Sequence, residues 1–267
     1  MMPAPQKILS FDYLMRFDYG MPVDKEFFTI KGLPKSNNRQ EISVDNITIC
    51  PAVPYSEGCD SFGNLKIYGC VKYPHSSFEY HISGRAVIKN LLYEEEASEN
   101  MLPLYRHPYG MNKSGENLRK YFMSLKSGLE ENDYVNAVSI MHMLHRDFSY
   151  RKGSTDSRTT AEEAWSLGAG VCQDYAHIFI ALCRLAGIPA RYVTGLITGE
   201  GESHAWAEIF YRGRWIGMDP TNDLLVADSH VKLGHGRDAS DCLINRGILR
   251  GAKGSQSRNI KVIVTEE

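Results

Sequence analysis

The sequence lacks paired cysteines. Its six thiols, at positions 50, 59, 70, 172, 183 and 242, include no CxxC spacing, and no HExxH accompanies its nine histidines. Neither a disulfide framework nor a zinc ribbon is therefore expected. It also lacks an excess of charge: 30 basic against 32 acidic side chains leave a net charge of -2. A nucleic-acid partner would require a broad positive surface to neutralise phosphates, and none is expected here. Met1 to Lys7 show no charged, apolar and small-residue segments of a secretory signal, so the expected location is cytoplasmic. With 43% hydrophobic and 23% charged residues, the composition is that of a soluble globular protein, with no membrane role expected. No internal repeat or low-complexity tract is visible.

What is present falls into two parts. Up to about Lys89, short apolar stretches alternate with turn residues such as Gly32-Leu33-Pro34 and Phe62-Gly63-Asn64. Runs like Leu65 to Tyr73 alternate with period two, which predicts strands and an N-terminal β-sandwich over residues 1–95. Residues 96–116, rich in proline and glycine, read as a linker. From Asn117 the period becomes helical, with Leu118, Tyr121, Phe122 and Leu125 on one face, and the stretch 134–148 repeats it. Thr160-Ala161-Glu162-Glu163 has the form of a capping box. Cys172 to Ala186 predicts a central helix ending at Gly187, and strand-like runs follow at 190–198, 204–211, 214–219 and 260–265. Residues 117–267 thus form a second, α+β domain, with helices first and an antiparallel sheet afterwards.

The chemistry concentrates in this second part. Gly168-Ala169-Gly170-Val171 turns the chain so that Cys172 begins a helix. Unpaired first-turn N–H groups and the helix dipole favour an anionic sulfur there, and the same donors suit an oxyanion. Downstream, His204-Ala205-Trp206-Ala207-Glu208 alternates as a strand. If Arg212-Gly213 is a two-residue turn, Tyr211 faces Arg214 and Trp206 faces Asp219. Asp219 is then the diagonal neighbour of His204 on one face, within side-chain reach. Cys172, His204 and Asp219 become nucleophile, base and orienting acid for acyl transfer through a thioester.

Gly170 to His177, Gly187-Ile188-Pro189-Ala190-Arg191-Tyr192-Val193-Thr194-Gly195, His204 to Glu208, Asp219-Pro220-Thr221-Asn222 and Gly236-Arg237-Asp238 closely resemble the bacterial transglutaminase-like superfamily. The strand-rich start, including Asp60 to Asn64, resembles the sandwich preceding the core in one branch. The resemblance implies a papain-like cysteine-proteinase core, with Cys172 on the helix and His204 and Asp219 on adjacent strands. It also implies peptide or protein amides as substrates, and no cofactor. Members crosslink glutamine to lysine, hydrolyse amides or have lost the nucleophile. The intact triad and the lack of calcium-regulated extra domains tilt the expectation towards hydrolysis. Transamidation and a non-catalytic peptide-binding module are the alternatives.

Supporting roles are less specific. Gln173 and Asp174 suit either substrate binding or orientation of the helix start. Trp206 and Trp215 suit a groove wall or simple packing. Trp165 is a candidate oxyanion donor, and Asn222 a candidate support for Asp219. His177 lies about 140° around the helix from Cys172, which suits a structural role. His142 and His145 have a metal-ligand spacing without matching ligands, so no metal site is expected. The N-terminal part is read as positioning substrate, forming a homo-oligomer or covering an apolar face, and the sequence does not choose.

Overall fold

The computed structural model describes residues 6–89, 99–251 and 254–267. Its first half is β1 (Gln6–Val23), β2 (Lys25–Ile30), β3 (Gln40–Cys50), β4 (Tyr55–Cys59), β5 (Leu65–Val71) and β6 (His75–Lys89). In β1 every second side chain from Leu9 to Tyr19 is buried, the pattern of a strand with one face on a core. β6 lies antiparallel beside it, with Tyr13 opposite Ile82 and Phe17 opposite Phe78.

The second half runs α1 (Leu102–Arg106), α2 (Glu116–Leu125), α3 (Asp133–Asp147), β7 (Ser149–Tyr150), α4 (Ala161–Leu167), β8 (Ala169–Gly170) and α5 (Cys172–Leu185). It continues with β9 (Ala190–Ile197), β10 (Gly199–Gly201), β11 (His204–Tyr211), β12 (Arg214–Asp219), β13 (Leu224–Leu225) and β14 (His230–Gly236). β15 (Asn245–Arg250) and β16 (Gln256–Glu266) close the chain. Among the described residues, no helix is long and apolar enough to cross a membrane.

One sheet has the order β13-β12-β11-β9-β14, all antiparallel. α5 packs on it, burying Ile178, Phe179 and Leu182 in a core shared with Ala207, Ile209 and Met218. The predicted capping box opens α4: Glu163 N–H donates to Thr160 Oγ1 at 3.3 Å, and Thr160 N–H donates to Glu163 Oε2 at 2.8 Å. α5 ends as expected at Gly187, whose φ of 81° favours a residue without a side chain.

The N-terminal strands form two sheets, β10-β16-β1-β6-β3 and β15-β2-β5-β4, around one core that includes Tyr13, Phe28, Ile67 and Phe78. The fold is thus a mixed, sheet-rich α/β protein with a β-rich N-terminal half. Two sequence expectations meet a different arrangement. The C-terminal strands β15 and β16 were expected with the second domain, yet they pair with β2 and β1. Val262 and Val264, at alternate positions, bury themselves in the sandwich core, which explains where they go. The expected boundary at 95/96 lies outside the described residues. Of the expected linker, the later part is packed: Tyr105 is buried edge-on against Trp215, at 5.2 Å between ring centres.

The two halves are also stitched together behind β14. Arg39 donates from its two terminal nitrogens to the carbonyls of Ala227 and His230, at 2.8 and 2.9 Å. Gln40 bonds both backbone groups of Lys232.

Candidate active site

The thiol is set by how α5 begins. Val171 N–H donates to Asp174 Oδ2 at 2.8 Å, and Thr155 Oγ1 donates to the same oxygen at 2.6 Å. Asp174 is buried and caps its own helix. Gly170 makes this close approach feasible, because a Cβ there would lie 2.5 Å from Asp174 Oδ2. Cys172 and Gln173 remain partly exposed and line a cleft of about 530 Å³. Their amides belong to the first helical turn and have no intrahelical acceptor.

The histidine and the acid come from the β11–β12 hairpin. Arg212 and Gly213, with φ of 49° and 80°, form the two-residue turn, and Tyr211 pairs with Arg214. The register runs back to Ala207 opposite Met218, so Trp206 falls opposite Asp219 as the sequence suggests. His204 Nε2 lies 2.7 Å from Asp219 Oδ2. The other ring nitrogen is left for the thiol, and Cys172 is near enough to favour the protonated imidazole. The imidazole thus sits between the carboxylate that it touches and the cleft residue Cys172.

Burial by itself would lower the His204 pKa. The hydrogen bond to Asp219, with nearby Cys172 and the charge of Asp219, outweighs it and holds the imidazole up to about 10. Burial would likewise raise the Asp219 pKa, but the bonds from His204 and His230 and the further donors hold it well below the carboxylate range. Five donors converge on this acid. Asn222 Nδ2 reaches Oδ2 at 2.7 Å, while the amides of Thr221 and Asn222 reach Oδ1 at 3.0 and 3.2 Å. Asn222 thus supplies two of the five donors.

One partner of the acid escaped the sequence reading. His230, at the start of β14, is completely buried and places Nε2 3.2 Å from Asp219 Oδ2, while its Nδ1 lies 2.9 Å from Ser229 Oγ. Burial keeps its pKa below the ordinary value, so it serves as a neutral donor. His230-Val231-Lys232-Leu233-Gly234 is glycine-ended and of mixed polarity, and nothing in it announces proximity to Asp219. Replacing His230 by phenylalanine removes this donor. The expected result is a fall in kcat of roughly tenfold, the scale of one hydrogen bond to a charged group, with KM unchanged. Thermal melting of the variant separates this effect from loss of fold.

Other candidates lie elsewhere. Trp206 is fully buried beneath the triad, its ring edge-on to His230 at 5.2 Å, and does not line the cleft. Trp215 is buried against Tyr105 and the Arg191 guanidinium. Trp165 packs on Tyr121 and Phe148 between helices, away from the cleft lining. Both are needed to fill gaps between elements, a demand that periodicity does not reveal. His177 is buried and neutral, its pKa lowered to about 4 mainly by burial, and it accepts from the Ala239 amide at 3.2 Å. His142 and His145 turn to Asp223 and the Pro220 carbonyl. Among the described residues, the one His/Cys/Asp/Glu cluster within ligand distance is His204, Asp219 and His230. Its facing atoms are already engaged in hydrogen bonds.

Residues 124–220 match the transglutaminase-like superfamily, and they include Cys172, His204 and Asp219. Over those residues this chain carries a transglutaminase-like domain. The Mycobacterium leprae protein ML0607 is 25% identical, with 92% of this chain and 94% of the relative covered. Rv2569c of Mycobacterium tuberculosis H37Rv is 27% identical, covering 81% and 79%. The crystal structure of a candidate cysteine protease from Cytophaga hutchinsonii superposes with a TM-score of 0.80 at 22% identity. It covers 98% of this chain and 91% of that one, so the fold is shared through both halves.

Proposed function

We propose that this protein is a cysteine-dependent amide hydrolase of the peptidase type, working through a thioester. The observation that carries the reading is the His204 imidazole, bonded to Asp219 and lining the same cleft as Cys172, which favours its protonated form. The sulfur attacks the amide carbonyl carbon, and the C=O electron pair moves to oxygen, facing the first-turn amides of α5. As the C–N bond breaks, protonated His204 gives its proton to the leaving amine. Water then attacks the thioester with His204 as base, the C–S bond breaks, and the thiol centre is regenerated.

The reaction needs thiol, imidazole and carboxylate alone. The proposed setting is cytoplasmic, and peptide or protein amides are the proposed substrates. A diverse peptide and amide library incubated with wild type and with Cys172→Ala tests the reading. Cleavage by wild type and none by the variant is expected. Equal product from both, or incorporation of an added primary amine with little net hydrolysis, overturns it.

A further inference from the structure

The cleft at Cys172 does not end at the catalytic half. It continues between the two sheets of the sandwich. Its wall there comes from alternate residues of three strands. β1 contributes Tyr13, Met15, Phe17 and Tyr19. β16 contributes Gln256, Arg258 and Ile260, in register opposite Tyr19, Phe17 and Met15. β15 contributes Asn245, Gly247 and Leu249 from the facing sheet. Strict alternation means that the inner faces of both sheets line the slot.

Three features distinguish this slot from a packing gap. Among the described residues, β15 pairs with β2 alone, and the Gln256–Ile260 portion of β16 pairs with β1 alone. Both strands bordering the slot thus leave one side without a ladder partner. Asn245 Oδ1 is buried and has no hydrogen-bond donor. Arg258 forms no ion pair among the described residues, although Asp156, Glu202 and Glu26 also line the cleft. Those acids differ in their commitments. Glu26 is bonded by Tyr19 and His75, and Asp156 by its own loop. Glu202 lies at the thiol end, two residues before His204, and both it and Arg258 act on the Tyr13 hydroxyl. Arg258, exposed on β16, is the one lysine or arginine among the described residues that line the cleft.

We infer that the open side of the sandwich is the substrate-binding slot, which takes an extended peptide-like chain and uses Arg258 to select one bearing a carboxylate near the scissile amide. This deepens the hydrolase reading and rests on it. Asn245 to Leu249 spans room for roughly four to six extended residues, at about 3.3 Å each. A carboxylate is the group that a guanidinium binds in a two-point, charge-assisted contact. Asn245 Oδ1 supplies an acceptor for a substrate N–H. The role is specificity, because Arg258 lies on a strand outside the triad.

The test measures binding separately from turnover. Fluorescein-labelled hexapeptide pools with Glu, Gln or Lys fixed at each position are titrated into Cys172→Ala and followed by anisotropy. The Glu pools are expected to bind at least tenfold more tightly than the Gln pools at one or two adjacent positions. Adding Arg258→Gln should abolish that difference, Arg258→Lys should keep most of it, and Arg258→Glu should turn the preference to Lys. Circular dichroism and melting establish that each variant folds. Equal affinity for the three pools, no binding by any pool, or a Glu preference that survives Arg258→Gln overturns the inference. Glu-selective binding without cleavage by wild type sinks the hydrolase reading and leaves the slot standing. Cleavage without any dependence on Arg258 does the reverse.

Discussion

Asp219→Asn is expected to lower kcat/KM for a cleaved peptide by roughly a thousand- to ten-thousandfold, the scale of losing a triad acid. The reason lies in the number of donors it serves. Oδ2 accepts from His204, His230 and Asn222, and Oδ1 accepts from two amides. An amide side chain has one acceptor atom and a donating nitrogen, so it must oppose at least one donor and cannot fix the His204 tautomer. The pH dependence should change as well. On the proposed mechanism protonated His204 donates to the leaving amine, and that form is lost as pH rises through about 10. Hydrolysis should therefore fall off on the alkaline side near that value. Asp219 supplies the bond and the charge that oppose burial, so Asp219→Asn should move the alkaline limb down by several pH units. A pH–rate profile and a melting curve on both proteins make the check. Near-wild-type turnover with an unmoved limb would show that the acid does not orient the base.

The protonated imidazole also bears on stability. Because the folded pKa of His204 is above its ordinary 6.5, this contribution is complete below that value and is lost as pH rises through about 10. His177 acts in the opposite sense. Its folded pKa near 4 favours folding when neutral, so its contribution is present above 6.5 and lost as pH falls through about 4.

The sequence revealed what depends on local chain geometry. A helix start after Gly168-Ala169-Gly170, a two-residue turn at Arg212-Gly213 and a capping box at Thr160 each follow from residues close in the chain. The hairpin register brings His204 and Asp219 together because it spans 16 residues with a single turn. What remained hidden depends on long-range packing. His230 reaches Asp219 only because β14 pairs with β9 across the sheet and Arg39, from the other half, fixes its carbonyl. β15 and β16 return to the N-terminal sheets after the second half is complete, and no periodicity specifies which sheet an alternating strand joins. The supporting tryptophans were ambiguous for the same reason, since an indole walls a groove or fills a core according to what lies opposite.

A second large effect is expected away from the triad, at Glu208 on the same strand as His204. Glu208 is fully buried and bonded by Arg191 Nε and by Lys232 Nζ, the latter at 2.8 and 2.9 Å to its two oxygens. Arg191 also stacks over Trp215, 4.2 Å from the ring centre. Burial would raise the pKa of Glu208, but Arg191 and then Lys232 outweigh it and keep it below the ordinary value. Glu208→Gln keeps the shape and removes the charge, leaving two buried cations without their anion. A buried pair broken from one side costs about 3–5 kcal/mol, and at about 2–4 °C per kcal/mol the melting temperature should fall by roughly 10 °C. The sign with pH follows from the depressed pKa. Its contribution is present above the unfolded carboxylate value and disappears as pH falls through the lower folded one, so wild type and variant should converge in acid. Adding Lys232→Met to Glu208→Gln removes one stranded charge, and the double variant should melt above the single one. A double variant that loses the sum of the two separate changes would mean that these charges do not act as one unit.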